Sequence, residues 1–248
     1  MNEQTAGKRW WAQAILIGGV IAVVCLPLGA LGTKFGLWAF TGGFMLLAAG
    51  AVLATLASFL GVIAYIVALR KQLLAERPTL LIGIFLGVVV LAILGTQYSA
   101  ASSVPPIHNI STDTENPPQF DKIVAIRSAA QANPLAYDAA ALAPQQTAAY
   151  PWVQPLTLMA PVDEVVDRAE AVMRDMGLEI VSSNKTTGLV EATATTFWFG
   201  FKDDVAVRVQ PAADGGTQVD LRSVSRVGQS DLGANAARIG EILKGLGS

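Results

Sequence analysis

Three long stretches without a single Asp, Glu, Lys or Arg fill most of the first half of this 248-residue chain: Trp10–Thr33, Phe35–Leu69 and Pro78–Thr112. A helix needs about 20 mainly apolar residues to cross a hydrocarbon core about 30 Å thick. Trp10–Thr33 is long enough, and Thr79–Gly95 just reaches. Phe35–Leu69 is too long for one upright span, because it would make about 52 Å of helix at 1.5 Å per residue. Its start, Phe35 to Phe40, reads as interfacial, since Trp38 and the phenylalanines favour the headgroup level. The span itself then runs from about Gly42 to Leu69, and three crossings are predicted. Lys8-Arg9 before an apolar run also fits the start of a cleaved signal peptide. The run is too long for one and two more follow it, so the first stretch reads as a retained helix.

Charge is distributed unevenly around these spans. The first 97 residues carry a formal +4 and the remaining 151 a formal −6. Lys8 and Arg9 precede the first span, and Arg70, Lys71 and Arg77 lie between the second and third. The opposite side has only Lys34 before Lys122. Flanking cations favour the cytoplasmic side, so the N-terminus is expected inside and everything after Gly95 outside, in a multi-pass protein of the bacterial plasma (inner) membrane. The acidic soluble part is a poor nucleic-acid partner, because phosphate binding needs clustered cations. Cys25, the only cysteine, lies within the first span and rules out an intramolecular disulfide. Transporters and pumps usually place ionisable groups inside the membrane, and these spans have none. Gly83-x-x-x-Gly87 and the small residues Ala54, Ala57, Ser58, Gly61 and Ala64 allow close helix packing, read first as packing within the three-helix unit rather than as a dimer face.

The division expected is a transmembrane region over 1–97, a proline-rich linker over 98–120 and an extracytoplasmic α+β domain over 121–248. Ile107–Phe120 is rich in turn formers and reads as irregular. A helix is predicted over Asp121–Gln131, then an Ala- and Pro-rich arm to Pro155 that holds only short helices. Leu156–Leu158 reads as a strand. Pro161 opens a helix with the stripe Val162, Val165, Val166, Ala169, Val172, Met173 and Met176, ended by Gly177. Leu178–Asn184 and Leu189–Thr196 form a hairpin. Val205–Gln210 and Thr217–Val224 form another, whose turn centre at Asp214 pairs Val207 with Leu221, Val209 with Val219 and Arg208 with Asp220. Ser230 is expected to cap a last helix with the face Leu232, Ala236, Ile239, Leu243 and Leu246. The fold class is an antiparallel sheet with helices on one face, behind three membrane helices.

Two segments carry the candidate sites. In Thr195–Asp204, a continued strand would put Trp198 on the face of Val190, Ala192 and Ala194, and Phe197, Phe199 and Phe201 on that of Glu191 and Thr193. Either the proline-rich arm buries the phenylalanines, or the aromatics touch the bilayer or a hydrophobic ligand. In Arg222–Arg238, a strand end, a glycine turn and a helix start could hold an anion through Arg222, Arg226 and Ser230. The alternative is structural: Ser230 or Asp231 caps the helix, and Arg226 or Arg238 pairs with Asp203 or Asp204. Those two aspartates, adjacent on a strand, point to opposite faces and read as a solvated pair at a turn end. A histidine triad would depend on His108 alone. No catalytic residue, metal site or cofactor is expected.

These two segments, with Asn109–Phe120, resemble a bacterial family catalogued as domain of unknown function 1499. The similarity spans about Pro106–Leu246. Membership implies frequent N-terminal membrane spans and brings no established activity, cofactor or catalytic residue. The expectation is therefore a non-catalytic integral membrane protein whose extracytoplasmic domain binds a membrane or envelope protein, such as an accessory subunit of a membrane complex. The alternative is a binder of lipid or a hydrophobic small molecule, with the sheet, last helix and aromatic segment as its site.

Overall fold

The computed structural model describes residues 9–130, 132–213 and 215–247. Lys8, Gln131 and Asp214, which served above for topology, a helix end and a turn centre, lie outside the described residues. Two compact units emerge, one of residues up to Ala100 with Phe197–Gly200, the other of Ala101–Thr196 with Phe201–Ser248.

In the first unit, helices α1 (Trp10–Lys34), α2 (Phe40–Arg70) and α3 (Arg77–Ser102) follow the uncharged stretches. Each is long and apolar enough to cross a membrane. The segment read as interfacial is mostly the short loop between α1 and α2. Helix α3 runs past Gly95 into the expected linker, because Ser99–Ser102 offers no helix breaker and the first proline comes at Pro105. Glycines set how closely these helices approach. A Cβ at Gly83 would lie 3.0 Å from the Ile15 carbonyl oxygen on α1, and one at Gly87 would lie 2.6 Å from that of Ala54 on α2. Both glycines of the small-residue motif therefore pack inside the three-helix unit.

The second unit is built on an antiparallel sheet. Its strands are β1 (Asn109–Ser111), β2 (Leu156–Leu158), β3 (Glu179–Asn184), β4 (Leu189–Thr195), β5 (Lys202–Pro211) and β6 (Thr217–Ser225). The order is β1-β6-β5-β4-β3, with β2 also paired to β6. Strands β1 and β2 thus share one edge, β1 along Arg222–Val224 and β2 along Thr217–Val219. The β5–β6 register is the predicted one, with Val207 opposite Leu221, Arg208 opposite Asp220 and Val209 opposite Val219. The segment read as irregular linker contributes β1, which is buried throughout.

One face of the sheet carries the apolar core. Val190, Ala192, Val205, Val207, Val219 and Leu221 pack there against α6 (Val162–Asp175) and α7 (Ala234–Leu246). Helix α6 buries Val165, Val166, Ala169 and Met173, four residues of the predicted stripe. Gly177 ends it at φ +80°, donating to Arg174 O at 2.9 Å while Leu178 donates to Met173 O at 2.9 Å. Helix α7 starts later than predicted. Leu232 is exposed at φ +56° outside it, and Ile242, absent from the predicted face, is fully buried. Helix α5 (Ala139–Ala149) is the short piece that the arm allows; its Gln146 donates to Ser111 O and accepts from Ser111 N.

Helices do not all lie on one face, contrary to expectation. Helix α4 (Lys122–Ala129) lies over the opposite face, where Arg127 reaches Asp204 and the α4 amides reach Glu191. The reason is chemical. That face carries Glu191, Thr193, Asp204, Asp220 and Arg222, all buried, and such groups must be covered by a partner that supplies hydrogen bonds.

The β3–β4 turn depends on Gly188, at φ +65° with a Cβ position only 2.0 Å from the Val209 carbonyl oxygen. Gly188→Ala combines left-handed strain with a backbone clash and should destabilise the domain by about 2 kcal/mol or more. Chemical unfolding of the detergent-solubilised chain measures this; an unchanged midpoint would contradict the geometry.

Candidate functional site

The aromatic candidates do not form a strand face. Strand β4 ends at Thr195, and Phe197–Phe199 make the turn at the tip of the β4–β5 hairpin. Thr196 closes this loop: its N–H donates to Phe201 O at 2.8 Å and its Oγ1 accepts from Phe201 N at 2.9 Å. Phe201 therefore stays with the sheet unit, while Phe197, Trp198 and Phe199 fall with the helical one. The arm does not bury them all, as the structural reading required. Phe197 is 72% exposed and Trp198 is 56% exposed, their rings edge to face at 5.2 Å. Lys34 donates to Phe197 O at 2.8 Å with its ammonium 4.8 Å from that ring, and Phe199 lies 5.4 Å from Phe44.

The polar face of the sheet is covered instead by a longer arm, the chain from Asn109 to Tyr137, which takes in the expected linker, α4 and the start of the proline-rich segment. Glu191, fully buried on β4, accepts from the backbone N–H groups of Asp121, Lys122 and Ile123 at 2.8, 2.8 and 3.3 Å. A carboxylate there both caps α4 and opposes its dipole. Ser182 adds a hydroxyl donor at 2.7 Å. Arg208 joins its cross-strand partner Asp220 at 2.8 Å to the arm through Asp113 at 3.0 Å and Asn116 O at 2.9 Å.

Arg222 is 1% exposed and holds the arm at five residues. Its Nε donates to Asn109 Oδ1 at 3.1 Å, Nη1 to Pro118 O at 3.2 Å and Nη2 to Leu135 O. The Phe120 and Tyr137 rings lie 5.4 and 5.5 Å from the guanidinium carbon. Burial pulls its pKa down to about 10, with Tyr137 opposing and Arg127 assisting the fall, so it remains charged at neutral pH. This arginine is occupied by the protein itself.

Asp204 is the most connected carboxylate. It accepts from Arg127 Nη1 at 2.8 Å, from Arg226 Nε and Nη2 at 2.9 and 2.8 Å, and from Thr193 Oγ1 at 2.8 Å. Arg127 extends the cluster to the carbonyls of Asn133, Val224 and Ser225. Burial pushes the Asp204 carboxyl up, but the bonds from Arg226, Thr193 and Arg127 together outweigh it and hold its pKa below the ordinary value. Asp203 faces the other way, as alternation requires, and pairs with Arg238 at 2.7 Å. Both aspartates are buried, not solvated as expected.

At the α7 start, Asp231 accepts from Gly233 N at 2.8 Å and from Asn235 N at 2.9 Å. Burial raises its pKa, the two backbone donors oppose this, and Asp203 adds to the rise. Ser230 is not the cap; its Oγ accepts from Leu232 N at 3.3 Å. Arg222 and Arg226 direct their guanidinium groups to different protein partners, Asn109, Pro118 and Leu135 for the first and Asp204 and Thr193 for the second. His108 Nδ1 lies 3.3 Å from Gln229 O. No group of three or more His, Cys, Asp or Glu is placed to hold a metal ion among the described residues.

Sequence reasoning missed Asn109, Arg127 and Glu191, each central to the buried network. One signal was present: Glu191 and Thr193 alternate with Val190, Ala192 and Ala194, so that strand already displayed a polar face needing cover.

A family profile described as a protein of unknown function, DUF1499, matches residues 109–246, more than half of the chain. The chain belongs to the DUF1499 family. No curated protein matches it. The DUF1499 match begins at Asn109, the first residue of β1 and the partner of Arg222. It therefore takes in the arm together with the sheet, and the arm's fastenings lie within the matched region.

Asp204→Asn removes the charge facing buried Arg127 and partly buried Arg226, which should cost about 3–5 kcal/mol. Because the folded pKa of Asp204 lies below its unfolded value, its contribution is complete above the unfolded carboxylate range near pH 4 and is lost as pH falls through the folded value. Unfolding curves between pH 3 and 7 should show acid destabilisation reduced in Asp204→Asn. Parallel curves for variant and parent would contradict the assignment. Arg222→Met should destabilise the domain without any added anion restoring it; rescue of Arg222→Met by an anion would reopen the ligand-site reading.

Proposed function

We propose that this protein is a non-catalytic integral membrane protein of the bacterial plasma membrane, with its DUF1499 domain outside the cytoplasm and serving to bind a membrane or envelope protein. An accessory subunit of a membrane complex is the form this takes. One observation carries the reading: Arg222 and Arg226, offered by the sequence for anion binding, are engaged in fixing the arm and the sheet, while Asp231 starts α7. The domain is then a rigid platform whose outer surface does the work. Orientation follows from the cations: Arg9, Arg70, Lys71 and Arg77 flank one side of the spans and Lys34 the other.

The lipid or small-molecule alternative built its site from the sheet, the last helix and the aromatic segment. Support for it is weaker, since Ala236, Ile239, Ile242 and Leu246 of α7 are buried in the core cluster.

Protease added to right-side-out spheroplasts should digest the part after Gly95; protection in spheroplasts with digestion after lysis would refute the orientation. Gentle detergent extraction followed by native separation should show a stoichiometric companion protein. Migration as a lone monomer would contradict the accessory-subunit reading.

A further inference from the structure

We propose that the tip of the β4–β5 hairpin, Phe197 and Trp198, is a lipid contact that lies in the headgroup–acyl boundary of the bilayer. The inference rests on the reading that α1–α3 cross the membrane, and concerns a surface that this reading leaves unassigned. Phe197–Gly200 fall within the same compact unit as the apolar helices. The contacts that place them there are at the ends of those helices. Lys34 is the last residue of α1, and Phe44 lies about one turn into α2. Phe197, held by Lys34, and Phe199, beside Phe44, therefore sit at the level where a crossing helix leaves the hydrocarbon.

The chemistry suits that level. Trp and Phe favour the interface, and a lysine there keeps its stem in apolar surroundings and its ammonium among phosphates. Lys34, with its ammonium on the Phe197 carbonyl and over the Phe197 ring, ties the tip to the end of α1 where such a lysine is expected. Phe35 and Leu37, in the loop after α1, are each 70% exposed. Like Phe197 and Trp198, they are exposed apolar side chains at the end of a helix long and apolar enough to cross a membrane, the kind of surface a bilayer covers. A Cβ at Gly200 would lie 3.1 Å from the Lys34 side chain, so glycine permits the close approach.

The test uses the full chain with Cys25→Ala, reconstituted in phosphatidylcholine–phosphatidylglycerol vesicles. Phe197→Cys and Trp198→Cys are each spin-labelled, leaving the other aromatic in place. Val52 of mid-α2, itself exposed, and the 85% exposed Met159 serve as lipid and water references. Collision with oxygen should exceed collision with a nickel chelate at both tip positions, by several-fold relative to Met159 and less than at Val52. Tip labels as open to nickel as Met159 would overturn the proposal, as would labels shielded from both reagents, which indicates cover by protein. If Val52 is itself open to nickel, the membrane reading fails and the lipid contact with it. A lipid-like Val52 beside a water-like tip overturns the contact alone.

Discussion

Four buried charges on one sheet face, Glu191, Asp204, Asp220 and Arg222, set the terms for the rest of the domain. A buried ion without partners costs several kcal/mol, far more than a small domain tolerates. These charges cannot face water through a thin cover, and an apolar layer would leave them unsatisfied. The chain from Asn109 to Tyr137 solves the problem by supplying amides, carbonyls, an asparagine, Arg127 and two aromatic faces. Once it does so, the arm is no longer a tether. Its position on the sheet becomes as specified as a strand's register, because each charge accepts only donors or acceptors at hydrogen-bond distance.

Much of the fold was legible because it follows period and punctuation. The three long apolar helices, the stripe of α6, both hairpins and the pairing of Arg208 with Asp220 arise from local patterns that no distant contact overrides. What was not legible depended on contacts distant in sequence. Asn109–Ser111 reads as turn-rich loop, yet forms a strand because β6 offers an open edge. Glu191 looks like the exposed side of a strand until the amides of Asp121–Ile123 arrive from some 70 residues away. Phe197–Phe199 invite extension of β4, yet Thr196 and Phe201 pair to close a tight loop first.

The candidate site illustrates the same limit. Arg226 with Asp204, Arg238 with Asp203 and Asp231 at the helix start were all within reach of residue chemistry, and the structural alternative for that segment is the one observed. Arg222 was not. Its partners are carbonyls and rings of the arm, groups whose identity reveals nothing of their destination. The charged residues hold the frame, which is why the proposed recognition is assigned to surfaces outside it.

Hydrogen exchange of the full chain carrying Glu191→Gln tests most directly whether the buried face fastens the arm. The substitution preserves shape while removing the charge that three amides at the start of α4, from Asp121 to Ile123, share. Faster exchange should appear at Asp121–Ile123 and spread along the arm, with the β5–β6 amides still protected. Unchanged protection of the arm, or equal loss across the sheet, would contradict the account.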